Sequence, residues 1–353
     1  MKLTTPAGTF FRMRRRSLSQ LLLASAIAPL PTCLIGQTQT SVSVNALPPL
    51  EGELTLYLGR GEGGLYENVL QAITDRNPDF DLKVRRGPTA ALANAIVAES
   101  KAGITRADLF WAVDTGAIGL VAEQGLALNL PTNLTNHLKP EFHYDNWLPI
   151  SGRVRTIPYN NQRISADQIP TDIMKLPDTN FQIGWAPEYA SFQSFITAMR
   201  IIEGTAATKD WLMKVNLKAK KYAGELGVVM AVERGEVDLG FANHYYTLRL
   251  KSGKPKAQVD LAFTNGDAGC LINTSGILTM KEDETAINFM RYLLTKEVQS
   301  YLSTEAFEIP LVGGIAPPEG LQNTESLSPP EIDLTQLADL RPTLDLMREL
   351  RIL

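Results

Sequence analysis

Two adjacent tyrosines, Tyr245 and Tyr246, stand where the apolar run VDLGFA gives way to NHYYTLRL. In a continuous strand, neighbouring side chains point to opposite faces, so one phenol would turn away from the other. In the first turn of a helix capped at Asn243, neighbours are only about 100° apart, and both hydroxyls lean toward one point near the helix N-terminus. The helix dipole favours anionic oxygen there. A phenol loses its proton only near pH ~10 in water, so two ionised phenols call for a strongly charged, oxygen-seeking cation. Ferric iron has that character. Two aromatics simply packed at a strand end fit the same spacing. A second candidate is PEYASFQSF, which reads as a helix start. The backbone N–H groups around Tyr189 to Ser191, with the Ser191 hydroxyl, can cradle an anion there. Plain capping by Ser191 fits equally well. His244 can turn away and hydrogen-bond a neighbour, while His137 and His143 lie in a loop-like stretch with no partner at metal spacing.

The elements that must position these groups follow from periodicity. ELTLYLG alternates as a strand, and GLYENVLQAITDRNP carries apolar residues at helical spacing up to Pro78. FDLKVRRG, AALANAIVAESKAG, ADLFWAV and TGAIGLVAEQG continue the alternation of strand and helix. This order calls for a parallel sheet with helices on both faces and ligands at the C-terminal strand ends. A second unit begins near SGRVRTIPYNN and contains the strand IGWAP, the helix SFQSFITAMRIIEG, further helices in TKDWLMKV and GVVMAVERG, and the strand VDLGFAN. INTSGILTMK reads as a strand, TAINFMRYLLTKEVQSYLS as one long amphipathic helix, and LRPTLDLMRELRIL as a terminal helix. Chain crossings near residues 153 and 263 would place a cleft between two α/β lobes. The expected division is 53–153 with 264–281 in the first lobe, and 154–263 with 282–353 in the second.

The N-terminal residues have another purpose. MKLTTPAGTFFRMRRRSLSQ holds five basic residues and no acid, and LLLASAIAPLP is too short to span a membrane. Residues 1–36 read as an export signal, either secretory or twin-arginine, since RRRSLSQ partly fits the latter. Cleavage near Ala26–Ala28 and lipidation at Cys33 in LPTC are alternative outcomes. Residues 37–52 read as a flexible, Pro-ended tether. Loss of the signal leaves Cys270 without a disulfide partner, as a small buried hydrophobe. It also leaves 29 basic against 38 acidic residues, a net charge of −9 that argues against nucleic-acid binding. No nucleophile elbow, Cys/His pair or zinc spacing points to an enzyme.

AVERGEVDLGFANHYYTLRL resembles the segment of the periplasmic ferric-ion-binding proteins that carries paired iron-ligand tyrosines. LTLYLGRGE, ADLFWAVDTGAIGLVAEQGL, SGRVRTIPYN, IGWAPEYASFQSFITAMR, FTNGDAGCLINTSGILTMK and FEIPLVGGI are similar to other parts of that family in the same order, from about residue 53 to 315. The resemblance implies an α/β two-lobed clamshell of the type II periplasmic binding kind. It also implies a solute-binding subunit, not an enzyme, that takes Fe3+ with a carbonate or bicarbonate anion and serves an ABC permease and its ATPase. A periplasmic monomer is expected.

By the resemblance, Tyr245 and Tyr246 are the metal ligands, Arg153, Arg155 and Ser191 grip the anion, and Asn243 lines the cleft. Two departures stand out. Gly61, between Arg60 and Glu62, replaces a His ligand that many members place after the first strand, and Val113, before Asp114, replaces a Glu ligand after the third. Tyr189, in a loop where another branch has an additional tyrosine, is the favoured replacement. Glu225, where the family often has Asn, is a weaker one. An oxyanion or small organic anion as the true cargo is the alternative that the missing ligands leave open.

Overall fold

Alternation along β1 (Gly52–Gly59) puts Leu54, Leu56 and Leu58 in one apolar layer and Tyr57 in another, so both faces of the strand are covered. α1 (Leu65–Arg76) covers the first layer with Val69, Leu70 and Ile73. α2 (Thr89–Lys101) covers the second with Leu92 and Ile96. β2 (Phe80–Gly87) and β3 (Leu109–Ala112) flank β1 in parallel, as the strand–helix alternation requires. α3 (Thr115–Glu123) follows β3, and its cap is Asp114, whose carboxylate accepts from the Ala117 N–H at 3.0 Å. The one-turn α4 (Thr132–Thr135) closes this part.

β4 (Leu148–Tyr159) is the long strand of the molecule, and its two ends serve different sheets. Residues from Leu148 to Val154 pair antiparallel with β10 (Ile272–Thr279), which also borders β3, so one antiparallel strand joins the parallel group. From Arg155 onward β4 pairs instead with the second group of elements. That group holds β5 (Ile183–Trp185), α5 (Ala190–Glu203), α6 (Thr205–Asn216), β6 (Ala219–Lys221) and α7 (Glu225–Glu233). β7 (Leu239–Gly240), β8 (Ala242–Asn243), α8 (His244–Gly253) and β9 (Asp260–Ala262) complete it. Its core is aromatic: Phe192, Phe195, Trp211 and Phe241 meet with ring centroids 5.4 to 6.0 Å apart.

In this computed structural model, residues 41–59, 64–139, 142–321 and 326–353 are described. The export signal with Cys33, and Arg60, Gly61 and Glu62, lie outside the described residues. Thr38–Leu353 group as one compact unit. Four expectations need correction. Residues 41–51 are no loose tether: Glu297 accepts from the Ser43 hydroxyl at 2.7 Å and the Val44 N–H at 2.8 Å, and Leu50 is buried. The long helix is two, α9 (Glu284–Leu293) and α10 (Lys296–Thr304), because Thr295 is extended (φ −67°, ψ 153°) and its hydroxyl bonds the Tyr292 carbonyl at 2.7 Å. Both helices pack on the first group, through Phe289, Met290 and Leu302, and not on the second as the 282–353 boundary assumed. The strand VDLGFAN is likewise interrupted, with the buried Phe241 between β7 and β8.

The two-residue β11 (Ile309–Pro310) pairs with β4 beside β10's register. Beyond it, the turn Leu334–Ala338 sends Leu334 and Leu337 into the second core while its backbone lies on α3 of the first group. Glycine permits that approach. A Cβ on Gly119 would stand 2.7 Å from the Ala338 Cβ, and one on Gly116 would stand 3.0 Å from the Leu337 carbonyl oxygen. α11 (Arg341–Glu349) then packs against α5.

Cys270 is fully buried in a short turn between β9 and β10. Burial pushes its thiol up to about 12, with the Asp267 charge adding to the effect. Thiolate is the reactive form, so a Cys33→Ser chain should react with a thiol reagent at least about a hundredfold more slowly when native than when denatured. Equal rates would show that this segment opens readily.

Candidate metal and anion site

The crossing point of β4 brings the expected residues together. Arg153 and Arg155 are two positions apart on the strand and share a face, just where β4 leaves β10 and takes up β8. Opposite them, α8 starts at His244, so Tyr245 and Tyr246 occupy its first turn. Both are at least nine-tenths buried. Their rings lie 4.6 Å apart at 48°, on one side of the helix and not splayed. Tyr189, the residue that precedes α5, reaches in from the neighbouring loop, and its hydroxyl is 2.7 Å from the Tyr246 hydroxyl. Three phenols from two elements thus share one place.

Asn243 holds the cap position of α8, yet its side chain does not cap the helix. Its amide donates to the Ser191 hydroxyl at 2.9 Å and to the Tyr245 hydroxyl at 3.2 Å. Ser191 is not a cap either: its hydroxyl and carbonyl both accept from Arg155 Nη2, at 2.7 and 2.6 Å. Glu225 is corrected as a ligand candidate. It is fully buried, one oxygen accepts from Arg155 Nη1 at 2.6 Å, and the other accepts from the Asn243 N–H at 2.8 Å, so both are engaged away from the phenols. His244 turns away from the cleft, with Nδ1 accepting from the Val154 N–H at 3.2 Å. Burial pushes its imidazole down to about 3, and Arg249 and Arg153 push the same way, so it is neutral at ordinary pH.

Arg153 has different surroundings from Arg155. Among the described residues none hydrogen-bonds its guanidinium. Burial works against its charge, while Tyr245, Tyr66, Asp114 and Glu308 outweigh that and hold its pKa above the ordinary value. Three of these residues were not anticipated as site members or were expected only to neighbour a ligand position. Tyr66 stacks on Trp111 with centroids 4.4 Å apart and donates to Glu308 at 3.1 Å. Glu308 also accepts from the Ser151 hydroxyl. Its carboxyl is raised above the usual carboxylate range by burial, against the pull of Ser151 and Arg153. Arg249, four residues after Tyr245 and so on the same helix face, lies over its ring at 4.6 Å. Val113 packs on the first core and offers no ligand atom. Among the described residues no group of three or more His, Cys, Asp or Glu is placed to hold a metal.

Helix-flanked sheets on either side of a crossing strand, with polar side chains converging at the crossing, define a two-lobed binding protein. The family described as bacterial extracellular solute-binding protein matches residues 105–331, and the chain belongs to it. The Fe(3+)-binding periplasmic protein of Serratia marcescens is 27% identical over 302 residues, covering 82% of this chain and 88% of the relative. The major ferric iron-binding protein of Neisseria meningitidis (strain Z2491) is 25% identical over 314 residues, covering 85% and 93%. Among solved structures, iron-bound HitA from Pseudomonas aeruginosa aligns with a TM-score of 0.76 at 26% identity, covering 86% of this chain and 99% of HitA. The Trichodesmium protein IdiA (FutA), solved in complex with iron and citrate, aligns with a TM-score of 0.72 at 23% identity, covering 85% and 99%; at that identity it speaks to the fold alone. The resemblance seen in the sequence and the clamshell fold it implied are borne out.

Proposed function

We propose that the protein captures ferric iron between its lobes through Tyr245, Tyr246 and Tyr189, and hands it to an ABC permease driven by its ATPase. The observation that carries this reading is the 2.7 Å contact between the Tyr189 and Tyr246 hydroxyls, with the Tyr245 ring alongside that of Tyr246 at 4.6 Å between centroids. Two phenols held that close share a proton, and a trivalent cation that displaces such protons gains charged oxygen ligands already gathered for it. Ferric- and iron-binding relatives from several bacteria support the cargo, and their periplasmic names support export of this chain. Solute-binding relatives also support a carrier that catalyses no reaction.

A carbonate-like anion completes the coordination, held by Arg153, whose guanidinium no described residue hydrogen-bonds. A planar oxyanion suits the rigid fork of donors that Arg presents. Lobe closure about the β4 crossing would then mark the loaded state for the permease. The deciding experiment is iron titration of the purified protein, followed by the visible absorption of ferric phenolate. A coloured, saturable complex is expected, and a colourless protein that still binds bicarbonate would mean that the anion is the cargo. Arg153→Ala should weaken iron binding about tenfold or more when bicarbonate is present and little when it is absent. A variant with the same bicarbonate response as the native chain would remove Arg153 from the anion site.

A further inference from the structure

Two guanidiniums share one face of β4, and among the described residues only that of Arg155 has a carboxylate within ion-pair distance. Arg155 is 3% exposed and Glu225 0% exposed, with Nη1 and Oε1 2.6 Å apart. Around Glu225 and Ser191 stands a set of donors suited to a small oxyanion: the Arg155 fork, the Asn243 backbone N–H and the Asn243 amide. The negative oxygens at the middle of this set belong to the protein itself. Glu225 is also the first residue of α7, where the helix dipole favours negative charge. A carboxylate fixed by the backbone competes at a high effective concentration against any dissolved anion.

We infer that Glu225 is a tethered anion that fills the Arg155 subsite, so no free oxyanion enters there and Arg153 alone recruits one. This deepens the proposed function by assigning the anion specificity of that site, although the filling of the Arg155 subsite does not itself require iron. Removing the tethered carboxylate leaves a buried cation and its donors arranged around a space of carboxylate size. Such a cavity should accept a free oxyanion that the native chain refuses.

The test uses iron-free protein with inorganic phosphate and bicarbonate as separate probes. Glu225→Ser should gain a rise in Tm of several degrees with about 50 mM of either anion, beyond any response of the native chain. The gain should disappear when Ser191→Ala is added, because the Ser191 hydroxyl accepts from both Arg155 and Asn243 and so holds those donors in place. Equal responses of native and Glu225→Ser proteins would overturn the inference. Should Glu225→Ser not fold without added anion, recovery of the native fold in phosphate supports the tethered-anion role, and no recovery in either anion overturns it. The iron reading fails separately: a native protein that never develops the visible band leaves the anion result standing.

Discussion

Tyr246→Phe should lose ferric affinity by at least about a hundredfold, more than the 10–100-fold expected of a group that only supports a ligand, together with most of the visible band. The substitution removes one oxygen and keeps the ring that packs against Tyr245. Loss of the bond to Tyr189 should cost only about 1 kcal/mol of stability. Affinity and stability therefore separate, which is what distinguishes a ligand from a packed aromatic. Paired iron titration and thermal unfolding measure both. An unchanged titration would reject Tyr246 as a ligand and return the pair to the simpler reading of two aromatics at a strand end.

Glu225→Ala should destabilise the protein by about 3–5 kcal/mol, the cost of leaving a buried charge without its partner. Among the described residues Arg155 would then keep only Ser191 as a side-chain hydrogen-bond partner, and the Asn243 N–H would lose its acceptor. Replacing both charges, as Arg155→Met with Glu225→Leu, should recover much of that loss, since a buried ion pair exchanged for apolar side chains is often neutral. Chemical denaturation at neutral pH gives both values. A loss below about 1 kcal/mol for Glu225→Ala would place the pair in a far more solvated setting than its burial implies.

Local pattern explains what the sequence made legible. The alternation in ELTLYLG and the apolar spacing in GLYENVLQAIT are decided within a few residues, and β1 and α1 formed accordingly. The placing of Tyr245 and Tyr246 at a helix start was legible because adjacency there is itself a geometric statement. Tyr66 and Glu308 were not, because 242 residues separate them and no short window contains both. Glu225 shows the same limit: its type and place were visible, but its partner lies 70 residues away, and only the fold turned a supposed ligand into an internal counter-ion. The break at Thr295 was hidden for another reason. Apolar residues keep helical spacing on both sides of it, so periodicity runs on where the backbone turns.

The way Gly116 and Gly119 admit the chain's last segment bears on how far the jaws can part. With Leu337 seated in one core and its backbone lying on a helix of the other, this segment ties the two groups together. Widening the mouth must drag that seam along α3 or peel it away, and either movement meets close contacts before the swing is large. How far the two groups can swing apart is thus expected to depend on two missing methyl groups in α3.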